Sequence, residues 1–332
     1  MDPNTIKKIV IVFLSIMQLF SLQAQYQTIV DVEGIANKSL QKTIEDNSTK
    51  LLSEINFAFF NNKTPDFSDI NISSDAKSSI LAMWETSPFR CIETEIINNI
   101  LNLNIGGYEL RDIRIYIKEA DSIERNQESV LVYKNSGEID NFYIAINKKN
   151  WKRVMTEGSS ITDLRRREII LNFVENFRTS YNRKDISLLE KVFSDDALII
   201  TGKVIKVKSD NSTMLTSNLS NEQIIYTKQN KSEYLNKLKT IFSSNQYINI
   251  KFEELKVTQH KLYPEIYGVT IKQYWNTSRY SDVGYVFLLI DFSDDNNPII
   301  HVRTWQPDKI GGEPLPEDSI FSLGNFGNYN RE

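Results

Sequence analysis

Two histidines, one cysteine and a short run of mixed polar and aromatic residues are what this 332-residue chain offers for chemistry. The run is Ile299-Ile300-His301-Val302-Arg303-Thr304-Trp305. Strand alternation puts Ile299, His301, Arg303 and Trp305 on one face and Ile300 and Val302 on the other. An imidazole, a guanidinium and an indole on one strand face could line a pocket for an anionic or aromatic ligand, or could form a polar outer face. Asp291 shares a face with Phe287 and Leu289 and would be a candidate base if it pointed inward. Tyr181 ends an apolar helical stripe and Trp275 ends a strand. The candidate ligand-binding residues are therefore Tyr181, Trp275, Asp291, His301 and Arg303.

Other chemistries lack their residues. A histidine-dependent mechanism must use His260 or His301, and with Cys91 these give no metal-ligand spacing. Gly106-Gly107 reads as a turn, no glycine-rich phosphate loop follows a strand, and the Gly-x-Ser-x-Gly elbow is absent. No catalytic residue, metal or cofactor is assigned. Cys91, among apolar neighbours, reads as a small buried hydrophobe, and as the sole cysteine it forms no intramolecular disulfide. The formal charge of −4 gives no electrostatic ground for a nucleic-acid partner.

The elements that must position these residues follow a leader. Lys7 and Lys8 precede the apolar block Ile9 to Leu22, and small Ala24 follows. This pattern predicts a signal peptide over residues 1–25, cleaved near Ala24 or Gln25. The block is shorter than the roughly 20 apolar residues of a membrane span, and no cysteine follows it to carry a lipid. A periplasmic or secreted protein is expected, not a lipoprotein, with no transmembrane span in the mature chain.

Leu40, Ile44, Leu51, Ile55 and Phe59 recur at helical spacing and predict a helix ending before Pro65. Ser74 or Asp75 caps a second helix carrying Ile80, Leu81 and Trp84. The period then falls to two at Ile113, Ile115 and Ile117, and Asn135-Ser136-Gly137 turns a hairpin between Ser129–Tyr133 and Phe142–Ile146. Polar residues around Gly158-Ser159-Ser160 predict a linker.

Beyond it, Ile170, Phe173, Val174, Phe177 and Tyr181 stripe a long helix, and Asp185 caps a short one. Ser209 to Asn221 reads as a loop, and Ser232 caps a helix with Leu235, Leu238, Ile241 and Phe242 inward. Four strands follow, near Tyr247–Gln259, Ile266–Trp275, Val283–Phe292 and Ile299–Trp305. Helices first and strands after is the α+β order. The predicted organisation is 1–25 signal peptide, 26–150 N-terminal α+β domain, 151–163 linker, 164–307 second domain and 308–332 irregular tail. Each half runs helices and then a meander, which points to two such domains in tandem, each with helices packed in a curved antiparallel sheet.

The segment FVENFRTSYNRKDISLLEKVFSDDALIITG, Phe173 to Gly202, carries a family likeness. With the closing strands it makes Leu164 to Pro307 resemble the nuclear transport factor 2-like superfamily. That resemblance implies a cone in which a curved sheet wraps a long helix and leaves a cavity at the wide end. It implies no single activity, because the fold hosts isomerases, dehydratases, transport factors and scaffolds. The preferred expectation is a non-enzymatic envelope module that binds another protein or a surface polymer, with a homodimer as a further arrangement. The alternative is a cone that binds a small hydrophobic molecule, or transforms one as an isomerase or dehydratase does.

Overall fold

The structure, a computed structural model, describes residues 26–103, 106–118, 126–206 and 222–326. The expected signal peptide, the loop Ser209 to Asn221 and the end of the tail lie outside the described residues. The chain divides into two compact units, with the main boundary between Tyr143 and Ile144.

The first unit opens with a strand that the sequence pattern did not announce. β1 (Ile29–Glu33) pairs in parallel with β3 (Glu95–Asn99). Between them, α1 (Lys38–Asn61) starts at Asn37, whose side chain accepts the amides of Ser39 and Leu40. It buries Ile44, Leu51, Leu52, Ile55 and Ala58 and ends at Asn62 in the left-handed region, φ +50°. α2 (Ser74–Thr86) is capped by Ser73. The main sheet of this unit has the order β2 (Phe89–Cys91), β5 (Tyr108–Ile117), β6 (Asn126–Tyr133), β7 (Ile139–Ile144), and β4 (Leu101–Asn102) pairs with β5. The hairpin turn needs Gly137: its φ is +82°, and a Cβ there would press within 3.1 Å of Leu40 and Thr43. Cys91 is buried, as expected, and burial pushes its thiol pKa up.

In the second unit the expected linker, 151–163, is corrected to helix. α3 (Lys148–Thr156) is capped by Asn147, and Ser160 caps α4 (Ile161–Asn182). Trp151 and Met155 pack against the core, so only the few residues around Gly158-Ser159 break the helical path. α5 (Ile186–Val192) starts at Asp185 as expected. The next cap is Asn230, not Ser232: α6 (Lys231–Ser244) opens with a capping box in which Asn230 and Glu233 satisfy each other's amides.

Six strands form the sheet of this unit, in the order β10 (Ile248–Gln259), β11 (Ile266–Thr277), β12 (Ser281–Asp291), β13 (Ile299–Pro307), β8 (Phe193–Lys206), β9 (Glu222–Gln229). The closing strands are antiparallel, as expected, and β13 joins β8 in parallel. The sheet curls into a half-barrel and the unit is α+β. Its concave side carries Ile248, Ile250, Tyr267, Val269, Val286 and Leu288 against α4 and α6. The tail crosses the other face, where Phe326 stacks on Phe287 at 5.3 Å and the amide of Phe321 donates to Gln306.

α4 is polar on one side and still buried. Arg178 donates to the carbonyls of Ile250 and Ala145, at 2.5 and 2.9 Å. Asn182 accepts the Ile250 amide, Glu175 the Ile146 amide and Thr179 the Ile144 amide. Backbone groups on the outer side of β10 and along residues 144–146 thus find partners in helix side chains. Arg153 adds a bond to the carbonyl of Leu255, where a bulge breaks the β10 register. Replacing Arg178 by Ala leaves two buried carbonyls without this donor, so stability in urea denaturation is expected to fall by about 3 kcal/mol or more. A loss below about 0.5 kcal/mol, the level of an ordinary surface substitution, would contradict this bonding scheme.

Candidate functional site

Aromatic rings occupy the concave side of the second unit. Phe173 and Phe177 stack along α4, and Phe177 meets Tyr181 edge-on at 5.0 Å. Phe193 bridges Phe177 and Tyr234, and Tyr181 touches Phe242 and Trp275. The two phenols meet, with the hydroxyls of Tyr181 and Tyr234 2.6 Å apart. Burial pushes both pKa values up, and that of Tyr181 rises further beside Tyr234.

Arg303 enters this ring cluster from β13. Its side chain is 4% exposed, and the guanidinium carbon lies 4.9 Å from the centre of the Tyr234 ring. Burial works against its charge, but the neighbouring phenols and Asp282 outweigh that and hold it protonated. Among the described residues its Nε has no hydrogen-bond acceptor. A buried donor of this kind is costly unless something accepts from it.

Asp282 is the acid of the same region. It lies across from Trp275 in the β11–β12 register, and one carboxylate oxygen accepts the Tyr280 hydroxyl at 2.7 Å. The other oxygen, Oδ1, is buried without a partner among the described residues. Burial pushes the pKa up to about 6. Asp308 adds to the rise, while Tyr280 and Arg303 oppose it. Two residues on, Gly284 leaves room for Trp305, because a Cβ there would sit 2.8 Å from the indole ring. Tyr181, Tyr234, Trp275, Asp282, Arg303 and Trp305 make up the candidate site.

Of the expected residues, Tyr181, Trp275 and Arg303 are brought together. His301 and Asp291 are not part of this group. The β12–β13 register shifts between Ile290, paired with Ile300, and Leu289, paired with Val302. His301 is therefore the extra residue of a bulge, and the strict alternation expected for this strand is corrected. Ile300 joins the concave core while Val302 joins the tail-covered cluster. His301 lies between two carboxylates, 3.6 Å from Asp291 and 3.8 Å from Asp196. Among the described residues no group of three His, Cys, Asp or Glu side chains could hold a metal ion, and no helix is long and apolar enough to cross a membrane.

The sequence reading missed Tyr234 and Asp282. Tyr234 continues the inward stripe of Leu238 and Phe242 at four-residue spacing. Asp282 shares the alternation of Gly284, Val286 and Leu288, so an acid on an apolar strand face was the available signal.

No protein-family model matches the chain, and no curated protein matches it. Solved structures similar to it include Bd1075 of Bdellovibrio bacteriovorus, 16% identical with a TM-score of 0.33, over 46% of this chain and 44% of that one. The match thus spans less than half of the Bdellovibrio protein. A protein of Streptomyces avermitilis, described as a proposed dehydratase of the NTF2-like family, is 11% identical with a TM-score of 0.28, over 40% of this chain and 89% of that one. A proposed ketosteroid isomerase of Shewanella frigidimarina is 11% identical with a TM-score of 0.29, over 42% and 94%. NTF2-like proteins are thus among the solved structures similar to this chain.

The raised pKa of Asp282 has a measurable sign. The folded state binds its proton more tightly than the unfolded chain, so this group favours folding as pH falls from about 6 towards 3.8 and disfavours it as pH rises again. An Asp282→Asn variant removes the effect. The stability difference, variant minus wild type, is expected to grow between pH 4 and pH 7 by an amount on the order of 1–3 kcal/mol in denaturant titrations. A flat difference across that window would show that the carboxyl is not held in this buried setting.

Proposed function

We propose that the chain is an exported binding protein whose second unit captures a small ligand at the mouth of its curved sheet. The ligand has an apolar or aromatic body and an acidic oxygen that meets Arg303. The observation that carries this reading is the guanidinium of Arg303, buried among rings with Nε lacking an acceptor among the described residues. An anionic oxygen would complete its hydrogen bonding and offset its charge, and Trp275 and Trp305 supply apolar surface beside it. Export rests on the composition of residues 1–25.

Capture without turnover is preferred because Phe177, Tyr181, Phe193, Tyr234 and Phe242 pack against one another where a deep reaction chamber would lie. An envelope protein or surface polymer remains the partner expected of a module of this kind. The tail packs Phe321 and Phe326 on the chain's own sheet, so the mouth is the better candidate. A second reading, isomerase- or dehydratase-like proton transfer, is favoured by one observation: the Oδ1 of Asp282, without a partner among the described residues, on a carboxyl whose pKa burial raises to about 6.

Titration with indole-3-acetate and naphthalene-2-carboxylate, each beside its neutral alcohol, tests the main reading through intrinsic fluorescence and thermal shift. The carboxylates are expected to bind more tightly than the alcohols, and Arg303→Met to weaken them about tenfold or more while the fold is retained by circular dichroism. Equal affinity for acids and alcohols, or an unchanged affinity in Arg303→Met, would remove Arg303 from the site. Conversion of either acid, abolished in Asp282→Asn, would favour the second reading.

A further inference from the structure

The first unit carries a groove that the proposed function does not use. It has a volume of about 620 Å³ and lies along the solvent side of α1. Tyr26 and Phe57 line it, with ring centres 5.9 Å apart and planes at 74°. Phe57 is 40% exposed although it is a large apolar side chain on a helix. Phe60 supports Tyr26 from behind at 5.3 Å, and the Lys63 ammonium sits 5.5 Å from the centre of the Phe57 ring. The rings are therefore held by neighbours and still open to solvent.

Apart from Ile70, the rest of the lining is polar, with spare hydrogen-bonding capacity. Glu54 spends one oxygen on the Asp66 amide, and Asp66 spends one on the Ser68 amide. Among the described residues the Asp69 carboxylate and the Gln27 side-chain amide make no hydrogen bond. Three carboxylates against Lys50 disfavour phosphate chains, anionic lipid and other polyanions. A purely apolar ligand would strip water from those carboxylates without replacing its hydrogen bonds. A neutral sugar chain fits both halves of the lining. Each pyranose ring offers a C–H face to an aromatic side chain and hydroxyl donors to carboxylate and amide acceptors.

We propose that the groove beside Tyr26 and Phe57 binds a neutral polysaccharide chain, with Asp66, Asp69 and Gln27 accepting from or donating to its hydroxyls. The site is separate from Arg303 and does not depend on the reading given to that residue.

Calorimetric titration of the mature full chain with cellohexaose, maltohexaose, chitohexaose and mannohexaose tests this. Dextran sulfate and a poly-glutamate peptide serve as anionic and peptide probes. At least one neutral hexasaccharide is expected to bind. Phe57→Ala and Asp69→Asn, both exposed-site changes, are each expected to weaken it tenfold or more, with thermal stability little changed. Arg303→Met is expected to leave the sugar affinity as it was, which separates this outcome from that of the mouth. Binding of none of the four sugars at millimolar concentration would overturn the proposal. So would preference for either anionic or peptide probe, or sugar binding indifferent to Phe57→Ala.

Discussion

The structure of the second unit depends on how an open sheet edge is closed. β10 is an outer strand, and its free backbone groups would be exposed to pairing or left without partners if nothing covered them. Asn182 and Arg178 satisfy the amide and carbonyl of Ile250, and Arg153 satisfies the carbonyl of Leu255. The same helix serves Ile144, Ala145 and Ile146 through Thr179, Arg178 and Glu175. α4 thus presents an apolar side to the concave face and a polar side to backbone. A helix used in this way is buried nearly all round, including charged residues that would ordinarily face water.

The concave interior follows from that clasp. With α4 fixed against the sheet, its rings at Phe173, Phe177 and Tyr181 must find partners, and they find Phe193, Tyr234, Phe242 and Trp275. What remains toward the mouth is electrostatic. Arg303 and Asp282 influence each other, yet among the described residues each keeps one polar atom without a partner. Joining them in a direct ion pair would have satisfied both. Two unsatisfied groups of opposite kind in one ring-lined region are the physical basis for assigning ligand capture there.

Much of this was legible in the sequence, for identifiable reasons. The stripe from Ile170 to Tyr181, the Asp185 cap and the four closing strands are strong periodic signals, and each has its counterpart in the structure. The α4 polar residues were not legible as buried. Glu175, Arg178 and Asn182 look like a solvated face until the backbone they serve is known. The 151–163 segment read as a linker because polar composition outweighed its caps, although Asn147 and Ser160 are both good helix starters. β1 was missed because its parallel partner lies far along the chain, beyond α1 and α2. The alternation through Ile300, His301 and Val302 failed at a bulge, which period-two reasoning cannot anticipate. Arg303 was found by residue type, whereas Tyr234 and Asp282 were hidden inside otherwise apolar patterns.

Native-state hydrogen exchange at the Ile250 amide tests the clasp most directly. This amide sits on an outer strand, where water would ordinarily reach it, and the structure bonds it to the Asn182 side chain at 3.0 Å. The account predicts protection close to that of central-strand amides such as Leu288, with the Ile146 amide, held by Glu175, protected to a similar degree. Exchange at Ile250 as rapid as in an exposed edge strand would show that helix side chains do not close the sheet.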